Sequence, residues 1–270
     1  MQDDSNRPPA PDARRSVRRT ARLHTGGRMA APMRDRPAGD RPVHFLHVGK
    51  TGGTAFKHAV ERARARCGKL APMIHLHPHA VRLRDIPEGD RFLFFLRDPV
   101  SRFVSGFYSR QRQGRPRYFV PWRPDEEEAF RHFSTPNQLA LALSAGGAPA
   151  RDRAEAAMRS IGHVRDSFWK WFDDEAYFLS RRDDLFFIGF QERLAEDFEI
   201  LKSRLRLPDS AALPAPDDVQ SHANPRHLDR NLREEAVRNL RRWYAPDFRF
   251  VALCRGIVRT GAPTTPTGPW

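Results

Sequence analysis

The residues best equipped for chemistry lie in three short stretches. The first, HFLHVGKTGGTAF at 44–56, sets Gly49, Lys50, Thr51, Gly52, Gly53 and Thr54 directly behind an apolar run. A turn of this kind between a buried strand and a helix presents backbone N–H groups and the positive end of the helix dipole, and Lys50 adds a point charge. The common ATP-binding loop, G-x-x-x-x-G-K-[ST], would need glycine at position 44. The chain has His44 there, and its additional glycines follow the lysine. A glycine-rich turn alone is a weak sign, because glycines behind a strand also serve simply to make the turn.

The second stretch, FFLRDPVSRFVSGF at 94–107, puts Arg97 at the carboxyl end of the clearest strand in the chain. Open parallel sheets bind ligands at that end. In the helix expected next, Val100, Phe103, Val104 and Phe107 form the apolar stripe, while Ser101 and Ser105 share another flank. An arginine fork with a serine hydroxyl one turn into the helix makes a second phosphate station. Alone, Arg97-Asp98 reads equally as a local ion pair and cap. The third stretch, MIHLHPHAV at 73–81, alternates His75, His77 and His79, which puts all three on one side of an extended segment. They read as a source of a general base, as a zinc site or as surface histidines. His44 and His47, on the first strand, read as packing or supporting residues.

The elements that must position these groups are legible from periodicity. Residues 43–48, 71–76, 91–96 and 185–190 are short apolar runs with turn signals at their ends, the mark of buried strands. Helical spacing follows at 54–67, after Asp98-Pro99 and at 191–205, with Asp98 as cap and Pro99 in the first turn. Alternating buried strands and helices imply an α/β fold, a parallel sheet with helices on both faces. Residues 111–180 differ: they open with an Arg/aromatic run, RQRQGRPRYFVPWRP, and continue as helical patterns near 126–143 and 153–179, a mostly helical insertion. Arginine with aromatics suits a sugar or anionic glycan, and equally a solvated loop. Asp125 to Glu128 read as the acidic first turn of a helix. A capped helix is expected from about 229 to 243, then a short apolar segment at 248–253.

Composition narrows the partners. Residues 1–42 hold ten arginines, five aspartates and few large apolar side chains, so they read as a disordered basic tail. Residues 43–258 form the expected domain and 259–270 a flexible end. The net charge of +14 favours anionic partners. Cys67 and Cys254 offer neither metal spacing nor a disulfide framework, which sets a cytoplasmic location as the expectation, with peripheral contact at anionic membrane surfaces left open.

HVGKTGGTAF followed by FFLRDPVSRFVSGF resembles the paired cofactor signatures of sulfotransferases that use 3′-phosphoadenosine-5′-phosphosulfate (PAPS), in the branch of the heparan-sulfate O-sulfotransferases and bacterial relatives. FFIGFQERLAEDFEIL and RRWYAPDFRF are similar to that family's late strand-helix segment and closing helix, so the likeness covers most of 43–253. It implies a P-loop-type sheet. It implies that Lys50, Thr51, Gly52, Gly53 and Thr54 hold the 5′-phosphosulfate and that Arg97 and Ser105 hold the 3′-phosphate, with no metal. It further implies that Lys50 assists the departing oxygen and that an H-x-H histidine is the base. His77, shared by both H-x-H pairs, is the first choice and His79 the second. The implied acceptor is a hydroxyl of a carbohydrate, as a glycan or glycolipid, with no specific nucleic acid bound. A small-molecule kinase of the P-loop type, requiring Mg²⁺ and an acidic ligand for it, is the first alternative. A non-enzymatic nucleic-acid binder, with strongly salt-dependent affinity, is the second.

Overall fold

Strand character in this chain comes from runs of large apolar residues that can be covered on both faces. In the computed structural model, which describes residues 41–68, 73–215, 218, 224–225 and 227–260, these runs form β1 (Val43–Leu46), β2 (Ile74–Leu76), β3 (Arg91–Leu96) and β4 (Leu185–Phe190). All pair in parallel, in the order β2-β1-β3-β4. The described residues belong to one unit within 32–270. The expected tail up to residue 40, residues 221–223 and 226, and the last ten residues lie outside them.

The helices, in chain order, are α1 (Gly53–Cys67), α2 (Pro99–Gln111), α3 (Pro124–His132), α4 (Pro136–Ala142), α5 (Ala148–Ser160), α6 (Trp169–Phe172), α7 (Glu175–Ser180), α8 (Leu194–Arg204), α9 (Glu234–Trp243) and α10 (Ala245–Arg259). The pleat sends alternate side chains to opposite faces. Val43, Phe45, Leu93 and Phe95 meet Phe56 and Val60 of α1 and Phe198 and Leu201 of α8 on one face. Leu46, Phe92, Phe94 and Leu96 meet Trp171, Phe172, Phe178 and Phe250 of α6, α7 and α10 on the other. Each such side chain contributes about 1.5–3 kcal/mol by burial. The chain is thus an α/β fold with an all-parallel sheet covered on both sides. Among the described residues, no helix is long and apolar enough to cross a membrane.

The insertion at 111–180 is helical as expected, but it serves two cores. Helices α3, α4 and α5 pack with α2 and α9 through Phe107, Ala129, Leu139, Met158 and Leu240. Helices α6 and α7 cover the sheet instead, because their aromatic side chains belong to its larger face. The helical core is pinned by a buried ion pair in which Arg110 donates twice to Glu126, at 2.8 Å each. Glu126 also accepts from the backbone N–H of Gly162 at 2.8 Å.

Four boundaries differ from the periodicity. The pattern near 126–143 is two helices, α3 and α4, parted at 133–135. The helical pattern at 153–179 breaks after Ser160, and residues 161–168 run irregularly through Gly162 and His163. The helix expected from 229 starts at Glu234, since the Asp229 carboxylate accepts from Asn231 N–H at 2.9 Å and holds a local turn instead. The apolar segment at 248–253 is the interior of α10.

Candidate active site

The strand order places the site. β1 leads outward to β2 and β3 leads the other way to β4, so the loops leaving β1 and β3 diverge. A crevice at the carboxyl edge of a parallel sheet follows from that reversal. A cleft of about 1160 Å³ opens there, lined by Lys50, Gly52, Gly53 and Thr54 from one loop and Arg97, Ser101 and Ser105 from the other. The two stations read from sequence therefore share one cavity.

The first station is built from backbone. Lys50 has φ 68° and Gly52 has φ 89°, both left-handed, so the chain doubles back before α1 begins. For lysine this conformation costs about 1–3 kcal/mol, the kind of strain that collects where function fixes the backbone. A Cβ on Gly53 would lie 2.6 Å from His47 and 2.8 Å from Phe45, and one on Gly52 would lie 2.8 Å from Leu194. Both glycines are thus required by close approach. No side chain caps α1, whose N-terminus faces the cleft. Thr51 is buried, and its hydroxyl donates to the Val48 carbonyl at 2.9 Å, so it shapes the turn from behind.

At the second station, Arg97 Nε donates to Ser101 Oγ at 2.8 Å, and Asp98 caps α2 by accepting from Ser101 N–H at 2.9 Å. Burial and the neighbouring guanidinium groups of Arg97, Arg112 and Arg102 hold the Lys50 ammonium down to about 7. Burial likewise brings Arg97 down to about 10. Among the described residues the cleft also carries Lys57, Arg117 and Arg230, against the carboxylates of Glu61 and Asp98 alone. Such a cavity attracts multiply charged anions. Compared with known families and curated proteins, the sequence matches no family model and no curated protein.

The histidines separate into two groups. β2 ends at Leu76, and a turn follows in which Val81 N–H donates to the Pro78 carbonyl. His75 and His77 keep to one face of the sheet, stacked with His44, and neither lines the cleft. His79, carried past the turn, stacks on His47 with ring centroids 3.8 Å apart, and both line the cleft. The expected common side for His75, His77 and His79 is therefore corrected: alternation holds only while the chain is extended. Asp90 Oδ2 lies 3.2 Å from His44 Nε2, and His44 Nδ1 lies 2.8 Å from His77 Nε2. His79 Nδ1 lies 2.8 Å from the His47 carbonyl, which can only accept, so Nδ1 carries the proton and Nε2 keeps its lone pair. Burial lowers the His79 pKa, keeping the ring neutral near pH 7.

The Arg/aromatic run is less uniform than its composition. Arg110 is buried against Glu126, Arg112 donates to Asn224 Oδ1, Arg115 lies over Phe119, and Arg123 pairs with Asp125. Only Arg117 and Tyr118 of that run line the cleft. Two contributors escaped the sequence reading. Arg102, 2% exposed, donates from Nε to the Gly49 carbonyl at 2.9 Å and from Nη1 to the Asp166 carbonyl at 2.6 Å, tying the lysine loop to the 161–168 segment. His163 lines the cleft from that segment, and its available signal was Gly162-His163 interrupting a helical pattern.

Proposed function

We propose that this protein is a PAPS-dependent sulfotransferase with a P-loop-type sheet, moving a sulfuryl group to a hydroxyl of a carbohydrate acceptor. The observation that carries the reading is the pair of anion stations at the ends of β1 and β3, opening into one cleft. A nucleotide with phosphates on both the 3′ and 5′ positions needs two such stations. Lys50, Gly52, Gly53, Thr54 and the start of α1 hold the 5′-phosphosulfate, with Thr51 bracing the turn, and Arg97, Ser101 and Ser105 hold the 3′-phosphate.

In the proposed reaction the acceptor hydroxyl gives its proton to His79 Nε2 as its oxygen bonds to sulfur. The bond from sulfur to the 5′-phosphate oxygen breaks, and 3′,5′-ADP leaves with the Lys50 ammonium beside the departing oxygen. His79 replaces His77 as the proposed base because its Nε2, unbonded among the described residues, belongs to a ring on the cleft wall, whereas His77 does not line the cleft. Arg117 and Tyr118 supply a cation and a ring on the same wall for a sugar. Calorimetry with 3′,5′-ADP against ATP·Mg²⁺ tests the class. Binding of the first in preference to the second is expected, and the reverse preference would replace this reading with a kinase.

A further inference from the structure

His163 lines the cleft wall from a segment that none of the sequence motifs contains. Its backbone has φ 65°, the left-handed region that a non-glycine residue rarely enters. Three features impose that conformation. Glu126 accepts from Gly162 N–H, Tyr244 Oη donates to the Val164 carbonyl at 2.6 Å, and Arg102 holds the Asp166 carbonyl. The turn also needs space from α2: a Cβ on Gly106 would lie 3.1 Å from His163 Cβ and 3.3 Å from its carbonyl carbon. Two buried charged side chains and a glycine thus hold one strained residue in place.

The ring they deliver lies against the lysine loop and beside His79. A Cβ on Gly49 would be 3.3 Å from His163 Nδ1, so the imidazole packs directly on the residue preceding Lys50. Its ring centroid is 6.1 Å from that of His79, edge to face. Among the described residues, no protein group hydrogen-bonds to either ring nitrogen, in contrast to His44, His77 and His79. Burial, with the nearby Lys50 charge, keeps this ring neutral well below its ordinary pKa, so one nitrogen carries a proton to donate.

We propose that His163 is a further catalytic residue, donating a hydrogen bond to the sulfuryl oxygens between Lys50 and His79. The inference rests on the sulfuryl-transfer reading above. It adds no proton transfer: the proton of the acceptor goes to His79, and His163 steadies charge on the group in flight.

The donor and product nucleotides separate this role from a structural one, because 3′,5′-ADP lacks the sulfuryl group. His163→Gly and His163→Asn both tolerate the backbone conformation. In calorimetry, His163→Gly is expected to weaken PAPS binding about tenfold, the equivalent of one hydrogen bond, and to leave 3′,5′-ADP binding unchanged. His163→Asn, with an amide donor, is expected to recover part of that loss. Equal losses for both nucleotides, or no loss for either, in both variants would overturn the assignment. Wild-type protein that binds ATP·Mg²⁺ but not 3′,5′-ADP would instead overturn the sulfotransferase reading, and this inference with it.

Discussion

Two groups of three histidines lie within one strand's reach of each other and are equipped for opposite tasks. On the face of the sheet, His44, His75 and His77 stack, and Asp90 fixes the proton order: its carboxylate accepts from His44 Nε2, whose Nδ1 then accepts from His77 Nε2. At the carboxyl edge, His47, His79 and His163 surround the cleft, with ring nitrogens on His79 and His163 left free of protein partners among the described residues. The difference is one of access: none of the first three lines the cleft. Imidazoles bonded into a chain hold structure together, and those with a free nitrogen on a cavity can act on a ligand.

The sharpest way to break this comparison is to remove one histidine from each group. His79→Ala is expected to lower sulfuryl transfer from radiolabelled PAPS to a glycan acceptor by about 10²–10⁴-fold, with 3′,5′-ADP affinity kept. His77→Ala is expected to leave transfer close to wild type. A reversed outcome would move the base to the sheet face and refute the partition. Next in size, Lys50→Ala or Arg97→Ala should each weaken 3′,5′-ADP binding by about 1.5–3 kcal/mol per lost charged hydrogen bond. Unchanged calorimetric affinity in both would remove the two-station reading.

A smaller effect follows from titration. With Lys50 held to about 7, the ammonium proposed to attract the nucleotide is progressively lost in the free protein as pH rises through that value. Affinity should fall above pH 7 by less than about tenfold per unit, and binding at pH 8 should take up protons, which calorimetry in buffers of different ionisation enthalpy measures. Lys50→Ala should abolish that uptake.

Stability carries the remaining two signs. His77 is lowered to about 4 and His47 to about 2, mainly by burial, so both folded values lie below the ordinary 6.5. The neutral rings favour the fold above pH 6.5, and that contribution is lost as pH falls toward 4. The melting temperature should drop across this window, and less steeply in His77→Gln; an unchanged slope would contradict it. Smallest of all, Asp90→Asn should cost about 1 kcal/mol of stability, read by denaturant unfolding, and leave transfer unaffected.

Much of this site was legible without coordinates because its logic is local. The run RFLFFL is β3 as read, and Asp98 and Pro99 start α2 as read, since the period-2 run and the cap act within a few residues. Gly52 and Gly53 announced a tight loop, and the sheet order then brought that loop to Arg97. The histidines were harder. Alternation correctly groups His75 with His77, but Pro78 begins a turn, and a turn erases the period on which the rule rests.

What the sequence alone determined is the set of elements and which residues stand at two strand ends, because strand period, helix period and turn residues are short-range properties. The tertiary structure decided which charged groups meet. Arg110 belonged to a run that read equally as sugar-binding or as a solvated loop, and it is instead buried against Glu126. His163 looked like helix and became a wall of the cleft, because Arg102 and Glu126 hold its segment against α2 across long stretches of chain. Contacts between residues far apart in sequence leave no periodic trace in either partner, so only the folded chain could bring them together.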